Sequence, residues 1–346
     1  MTYGRPGSRD ARSRILLATL AACLPLSLLV APVASGKAPG ANGLIAFSRY
    51  SDDTGDPHIF TIRPDGTGEQ QIPLPWPAEF ATWSPDGSRI MVSALLDDTI
   101  RPATFHPDGS DVHLIDDPAV PRDLALLCHA WSPDGQRLLC QGDSFSAQHP
   151  ESNGVYSIRA ADGSGLTRLT TGAFPPVFKS GGSCGGGDAP GDYSPDGTRF
   201  VFLRARCGSG PVPDRNQAAA VFIANTDGSG LRQVTDYGLA WSHGDGLPHW
   251  SPDGSLILFG SVHGRIVTVH PDGSGLKQVS IDDGRGGQFA LAPGWSPDGQ
   301  RIVFDLFREA TGDVQIYTSK PNGTDLQRVT DGTGFLDLAD WGPAAN

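Results

Sequence analysis

Short apolar runs separated by turn residues dominate the chain beyond residue 40. The runs at 89–92, 137–140, 200–203, 256–259 and 302–304 are rich in Ile, Val, Leu and Phe and are bounded by Gly, Pro, Asp and Ser. Their brevity and β-branched or aromatic content predict strands; amphipathic helices need longer stretches with apolar residues three and four apart. A second set of runs, including 58–62 and 315–318, ends in Pro-Asp-Gly or a close variant. Each is followed by a stretch patterned like Leu166-Thr167-Arg168-Leu169-Thr170 or Leu326-Gln327-Arg328-Val329-Thr330. Asp-Gly supplies the positive φ of a tight hairpin, and Pro presets the residue that enters the turn.

The two patterns interleave as an internal repeat, which decides the architecture. Trp83-Ser84-Pro85-Asp86-Gly87 recurs with its anchors and turn residues at Trp131, Asp134 and Gly135, and at Tyr193, Asp196 and Gly197. It recurs again at Trp250, Asp253 and Gly254 and at Trp295, Asp298 and Gly299, with a degenerate last copy at Trp341. The anchors lie 48, 62, 57, 45 and 46 residues apart. The second turn appears six times, at Asp65, Asp108, Asp162, Asp227, Asp272 and Asn322, each followed by Gly. Every unit therefore predicts four strands, A to D, with one motif turning A into B and the other turning C into D. Residues 42–47 look like a strand B without a strand A before it, and 336–341 like a strand A without a strand B after it. Pairing them closes a ring and removes exposed sheet edges at the seam. The predicted fold is all-β: a six-bladed β-propeller with four-stranded blades, spanning 36–346 and closed by the C-terminal strand on the N-terminal blade.

These turns, with the recurrent Asp-Gly-Ser-Gly stretch, resemble the WD40-like repeats of TolB-type propellers over essentially all of residues 41–346. The resemblance implies an extracytoplasmic propeller that binds protein or glycan. TolB proteins also carry an N-terminal α/β domain that contributes to their partner contacts. Here the leader runs directly into the first blade, so the TolB partner is not carried over. Prolyl oligopeptidases resemble the propeller too, but they add an α/β-hydrolase domain for which no length remains.

Composition narrows the class. Gly (45) and Pro (29) are too frequent for a helical protein, while 38% hydrophobic residues suffice for a core. The formal net charge of −12 repels phosphate backbones, which argues against nucleic acid as a partner. Residues 5–14 are basic, 15–36 carry no charge, and small residues fill 31–36, the order of a cleaved signal peptide over 1–35. A lipobox-like Leu20-Ala21-Ala22-Cys23 offers lipid attachment at Cys23 as the alternative, although the residues after it stay apolar. An uncleaved anchor is a third reading, and all three put the body outside the cytoplasm, where cysteines can pair. The preferred pairing is Cys128 with Cys140 and Cys184 with Cys207, four free buried thiols being the alternative.

The B–C and D–A connections vary, and 142–154, 171–191, 205–218 and 236–248 are the longest. Variable loops on a rigid scaffold are where sites usually form, so a ligand site is expected on that face, mainly at blades 3 to 5. Within it Trp241, His243, Asp245 and His249 are the candidate ligand-binding residues, against a plain polar loop with His249 bonded between blades. The acidic pairs at 52–53, 97–98, 116–117 and 282–283 read as solvated charge before they read as a Ca²⁺ ring, since none has EF-hand spacing. Gly181-Gly182-Ser183-Cys184-Gly185 matches the nucleophile-elbow formula by coincidence, lacking the strand before it and the helix after. No catalytic residue, metal ligand or cofactor is assigned. The favoured function is an exported, non-enzymatic propeller binding a protein, peptide or cell-envelope glycan. The alternative is a polysaccharide lyase or hydrolase with a His/Asp, metal-assisted site at the channel mouth.

Overall fold

A computed structural model describes residues 40–344 apart from 52, 145–151, 172–186, 207–217, 241–245, 262–263, 283, 285–287, 309–310 and 332–335. The described residues form six four-stranded antiparallel sheets arranged as propeller blades. Blade 1 holds β1 (Asn42–Tyr50), β2 (Pro57–Ile62) and β3 (Gln70–Gln71). Blade 2 holds β4 (Ala78–Trp83), β5 (Ile90–Leu95), β6 (Ile100–Phe105) and β7 (His113–Leu114). Blade 3 comprises β8 (Leu124–Trp131), β9 (Arg137–Ser144), β10 (Gly154–Arg159) and β11 (Thr167–Arg168). Blade 4 comprises β12 (Asp188–Tyr193), β13 (Arg199–Arg206), β14 (Ala218–Asn225) and β15 (Arg232–Gln233). In blade 5 these are β16 (His249–Trp250), β17 (Ile257–Gly260), β18 (Ile266–Val269) and β19 (Lys277–Gln278). Blade 6 contributes β20 (Gln288–Trp295), β21 (Ile302–Arg308), β22 (Asp313–Ser319) and β23 (Gln327–Arg328). The last strand, β24 (Leu336–Pro343), pairs antiparallel with β1 and completes blade 1. The ring closes as the two half-blades predict. Strand D of every blade shrinks to two residues, because it lies at the outer edge with little to bury against.

The A–B turn explains its own sequence. In blade 4, Ser194 Oγ donates to Asp196 Oδ1 at 2.6 Å and accepts from the Arg199 N–H at 2.9 Å, while the Thr198 N–H also donates to Asp196 Oδ1. The Gly197 N–H reaches the Ser194 carbonyl at 2.8 Å, and Gly197 sits at φ 69°, in the left-handed region that penalises a Cβ. Ser, Asp and Gly are thus each required by a bond or a dihedral, and the same bonds recur around Asp86, Asp134, Asp253 and Asp298.

The core lies between blades. Each of six apolar clusters joins two neighbouring blades around one anchor aromatic. Trp131, for example, packs with Met91 and Ile115 of blade 2 as well as Leu126 and Leu138 of its own blade. Tyr193 replaces Trp between blades 3 and 4, where its hydroxyl is 3.2 Å from Ser157 Oγ. Burying an aromatic of this size stabilises the ring by at most roughly 4–6 kcal/mol by area. Two carboxylates tie the seam strand to its neighbours. The Leu338 N–H donates to Asp305 Oδ2 of blade 6 at 3.0 Å, and Asp340 Oδ2 accepts from the Trp83 N–H of blade 2 at 2.9 Å. At the end of the seam the Ala344 N–H donates to the Ala41 carbonyl at 2.8 Å.

Cys128 and Cys140 form the expected disulfide, directly opposite each other on β8 and β9. Cys184 and Cys207 lie outside the described residues. No helix among the described residues is long and apolar enough to cross a membrane.

Candidate functional site

The innermost strands β4, β8, β12, β16, β20 and β24 surround the propeller axis. Five of them carry a one-residue β-bulge at the same level, just before the anchor aromatic. In β4, β20 and β24 the residue three before the anchor is left-handed without being Gly: Phe80 (φ 59°), Ala292 (φ 45°) and Leu338 (φ 54°). Bulges bend a strand and re-aim its side chains, and conformations of this kind collect at ligand sites. In β8 the additional residue is His129, and in β12 it is Gly191. Gly is needed there, since a Cβ on Gly191 would stand 1.8 Å from the Pro248 carbonyl oxygen of the next blade.

The bulges line a small cavity of about 60 Å³, part of it open to solvent. Every lining residue falls between an anchor aromatic and the third residue before it, so the site is one horizontal slice through the repeat. Its polar members are Thr82, His129, Asp192, His249 and Asp340, from five different blades. Among the described residues blade 6 supplies Ala292 and Gly294, and no Lys or Arg is in the lining.

His129 is the most unusual member. It is 7% exposed, and its Nε2 is buried without a hydrogen-bond partner. The Phe80 ring meets the imidazole edge to face at 4.9 Å between centroids. Burial, with a smaller contribution from nearby His249, pushes the His129 pKa down to about 3, so the ring is neutral at physiological pH. Across the cavity His249 Nδ1 lies 3.9 Å from Asp192 Oδ2. The Thr82 hydroxyl donates to the His129 carbonyl at 3.2 Å and ties two bulges together.

Of the residues predicted from sequence, His249 lies in this cavity, while Trp241, His243 and Asp245 fall outside the described residues. His129, Asp192 and Asp340 were missed. The signal for them is the column of residues one and two places before each anchor, which is polar in some blades and small in others. The acidic pairs resolve into local structure where they are described. Asp116 Oδ1 accepts from Nε of the fully buried Arg101 at 3.0 Å and Oδ2 from Arg122 at 2.8 Å, so this carboxylate is a clamp, and the solvated reading does not hold for it. Asp117 Oδ1 caps the Ala119 N–H and Asp282 Oδ1 the Gly284 N–H. No group of three His, Cys, Asp or Glu among the described residues is placed to hold a metal ion.

No sequence-family model matches the chain, and no curated protein matches it. Solved structures do share its architecture. TolB from Acinetobacter baumannii aligns with a TM-score of 0.63 and 15% identity, over 87% of this chain and 67% of that one. A TolB chain of Agrobacterium tumefaciens aligns at 0.56 and 16% identity, over 88% of this chain and all of that one. The fold is the TolB-type six-bladed propeller. The same TolB-type ring also aligns with a chain of a nidogen/laminin complex, at a TM-score of 0.58, 10% identity and coverage of 86% and 98%. It aligns as well with Kuenenia stuttgartiensis hydrazine synthase, at 0.63 and 12% identity, over 89% of this chain and 48% of that one. At such identities what is shared is the fold, and the function has to come from the site.

Proposed function

We propose that this chain is an exported, non-enzymatic binding propeller that recognises a protein, peptide or cell-envelope component. The observation that carries the reading is the axial cavity: one backbone slice repeated in six blades, with a different set of side chains presented by each. Repeating turns hold the scaffold while the varied positions provide recognition. The leader pattern of residues 1–35 and the Cys128–Cys140 disulfide both support a body outside the cytoplasm, with lipid attachment at Cys23 as the alternative form of export. The likeness to TolB and to a chain of a nidogen/laminin complex supports protein as the ligand class. In this reading the long connections 171–191 and 236–248 add recognition contacts of their own.

The test replaces each of these two connections by a short Gly/Ser turn in the tagged chain and compares partner capture by cross-linking in its native envelope. Loss of capture by variants that unfold at the wild-type temperature is the expected result. Unchanged capture by both variants overturns the reading. Mass spectrometry of the exported protein reports the mature N-terminus, expected between residues 34 and 36.

A further inference from the structure

We propose that Asn322 is a site of spontaneous covalent modification, where the side-chain amide is exchanged for a carboxylate that the turn accepts. The inference is independent of the binding reading. Three Asn-Gly pairs occur in the chain: Asn42-Gly43, Asn153-Gly154 and Asn322-Gly323. In such a pair the Gly nitrogen can attack the Asn Cγ, because no Cβ shields it. The Cγ–Nδ2 bond breaks, the amide nitrogen leaves as ammonia with the Gly N–H proton, and a five-membered succinimide closes. Water then opens the ring at one of its two carbonyls. The product is aspartate or, with the chain running through the β-carboxyl, isoaspartate. One water is consumed and one ammonia released, and no other reactant is needed.

The fold treats the three pairs differently. Asn42 is held at both ends of its amide by the A–B turn of blade 6: Nδ2 donates to Asp298 Oδ2 at 3.0 Å, and Oδ1 accepts from the Asp298 N–H at 3.3 Å. The Asn153 side chain bonds the Asp143 carboxylate, its carbonyl accepts from Arg168, and Gly154 stands in register opposite Gly142. Turning either amide onto the following nitrogen breaks bonds to other elements. Asn322 is exposed at the tip of the β22–β23 hairpin, and among the described residues its side chain bonds only to Thr324 of the same turn. Both of those bonds go to Oδ1, so the nitrogen that has to leave is not held. The Gly323 N–H does donate to the Lys320 carbonyl at 2.8 Å, a bond that opens when the hairpin tip frays.

The repeat itself shows that the product fits. The five sister turns carry Asp65, Asp108, Asp162, Asp227 and Asp272 where blade 6 carries Asn322. Asp65 Oδ1 accepts from the Thr67 N–H at 2.9 Å and from its hydroxyl at 2.7 Å; Asn322 Oδ1 accepts from the same groups of Thr324 at 3.1 and 2.7 Å. A carboxylate therefore replaces the amide atom for atom, and its bonds become charge-assisted. Lys320 and Arg301 line the same surface recess and balance the new charge. Gly323 cannot be exchanged to protect the pair. It sits at φ 87°, and a Cβ on it would stand 2.0 Å from the Ser280 carbonyl oxygen of blade 5. The packing that makes Gly obligatory also keeps this Asn reactive.

The experiment incubates the purified, exported protein, folded and in urea, in warm, mildly alkaline water enriched in heavy oxygen. Digestion in ordinary water and mass spectrometry then follow the three Asn-Gly peptides. In the folded protein Asn322 is expected to convert at least tenfold faster than Asn42 and Asn153, taking up one heavy oxygen. In urea that advantage is expected to shrink, because the bonds that protect the other two are gone. Asn322→Gln, whose longer side chain would need a six-membered ring, is expected to show no conversion at this position. Asn322→Asp is expected to melt no lower than wild type. An isoaspartyl methyltransferase assay divides the product between its two forms, and both count as conversion. An Asn322 that keeps its amide in the folded protein while the urea sample converts overturns the proposal. So does an Asn42 or Asn153 that keeps pace with it, or an Asn322→Asp protein that melts below wild type.

Discussion

His129 is held neutral by its surroundings, and that has a measurable cost in acid. An unfolded histidine takes up a proton near pH 6.5, whereas the folded one resists until about pH 3. Between those values the unfolded chain binds more protons, so stability falls as pH falls. At pH 4.5 the deficit amounts to about 2–3 kcal/mol. The His129→Phe variant should lack this slope, and urea midpoints measured at pH 7 and pH 4.5 should converge for it relative to wild type. His249, Asp192 and Asp340, the other ionisable groups of the lining, are common to both proteins. Turn aspartates act in a different window. Asp65, Asp108, Asp162, Asp227 and Asp272 are held below the usual carboxylate range, chiefly by the hydroxyl two residues on and then by that residue's N–H. Their stabilisation is present above the ordinary aspartate pKa and is lost as pH falls through the lowered values. Ser194 gives a second residue-scale test. Its buried hydroxyl bridges Asp196 and the Arg199 N–H, so Ser194→Ala should cost about 1–2 kcal/mol in a urea titration at neutral pH.

At the scale of elements, the disulfide and the His129 bulge occupy adjacent positions. Cys128 pairs with Cys140, the next residue bulges, and Ala130 resumes the register opposite Leu139. The bond therefore clamps one end of the segment that turns His129 to the axis. Replacing both cysteines by serine should lower stability by roughly 2–3 kcal/mol, by the loop-entropy argument for a separation of 12 residues. Calorimetric melting checks it; a melt unchanged from wild type would show that strand pairing alone holds the bulge. Strand order, hairpin turns and ring closure were legible in the sequence because each is enforced by residue types with few substitutes: Trp to fill an interblade gap, Asp-Gly to reverse the chain. The bulges were not. Phe80, Ala292 and Leu338 adopt positive φ without the Gly or Asn that normally marks it, because six blades converging on one axis impose the bend from outside the strand. The site stayed hidden for the same reason. His129, Asp192 and Asp340 are scattered over 212 positions of sequence and meet only when the ring closes.

The whole molecule depends on six equivalent interfaces, none of which is terminal. Trp341 fills the interface between blades 6 and 1, and its Nε1 donates to the Gly43 carbonyl at 3.2 Å. A chain ending before Leu336 would lose that aromatic, the β1 pairing and both carboxylate ties of β24. It should unfold over a broader range at lower temperature and self-associate through the bared edge of β1, as light scattering during a melt would show. The cavity should go with it, since β24 supplies Leu338, Ala339 and Asp340 to the lining.

The bond from the Ala344 N–H to the Ala41 carbonyl carries a further consequence, for where the polypeptide is allowed to start. The two ends of the described ring, held within one hydrogen bond, can be joined by a linker of a few residues without moving either of them. Synthesis could then begin at any exposed hairpin, such as the one at Gly163, and still deliver the same ring. A circular permutant opened there should reach the wild-type far-ultraviolet spectrum and bind the same ligand. The order in which ribosomes make the blades would then be an accident of this gene, with no bearing on the object they build.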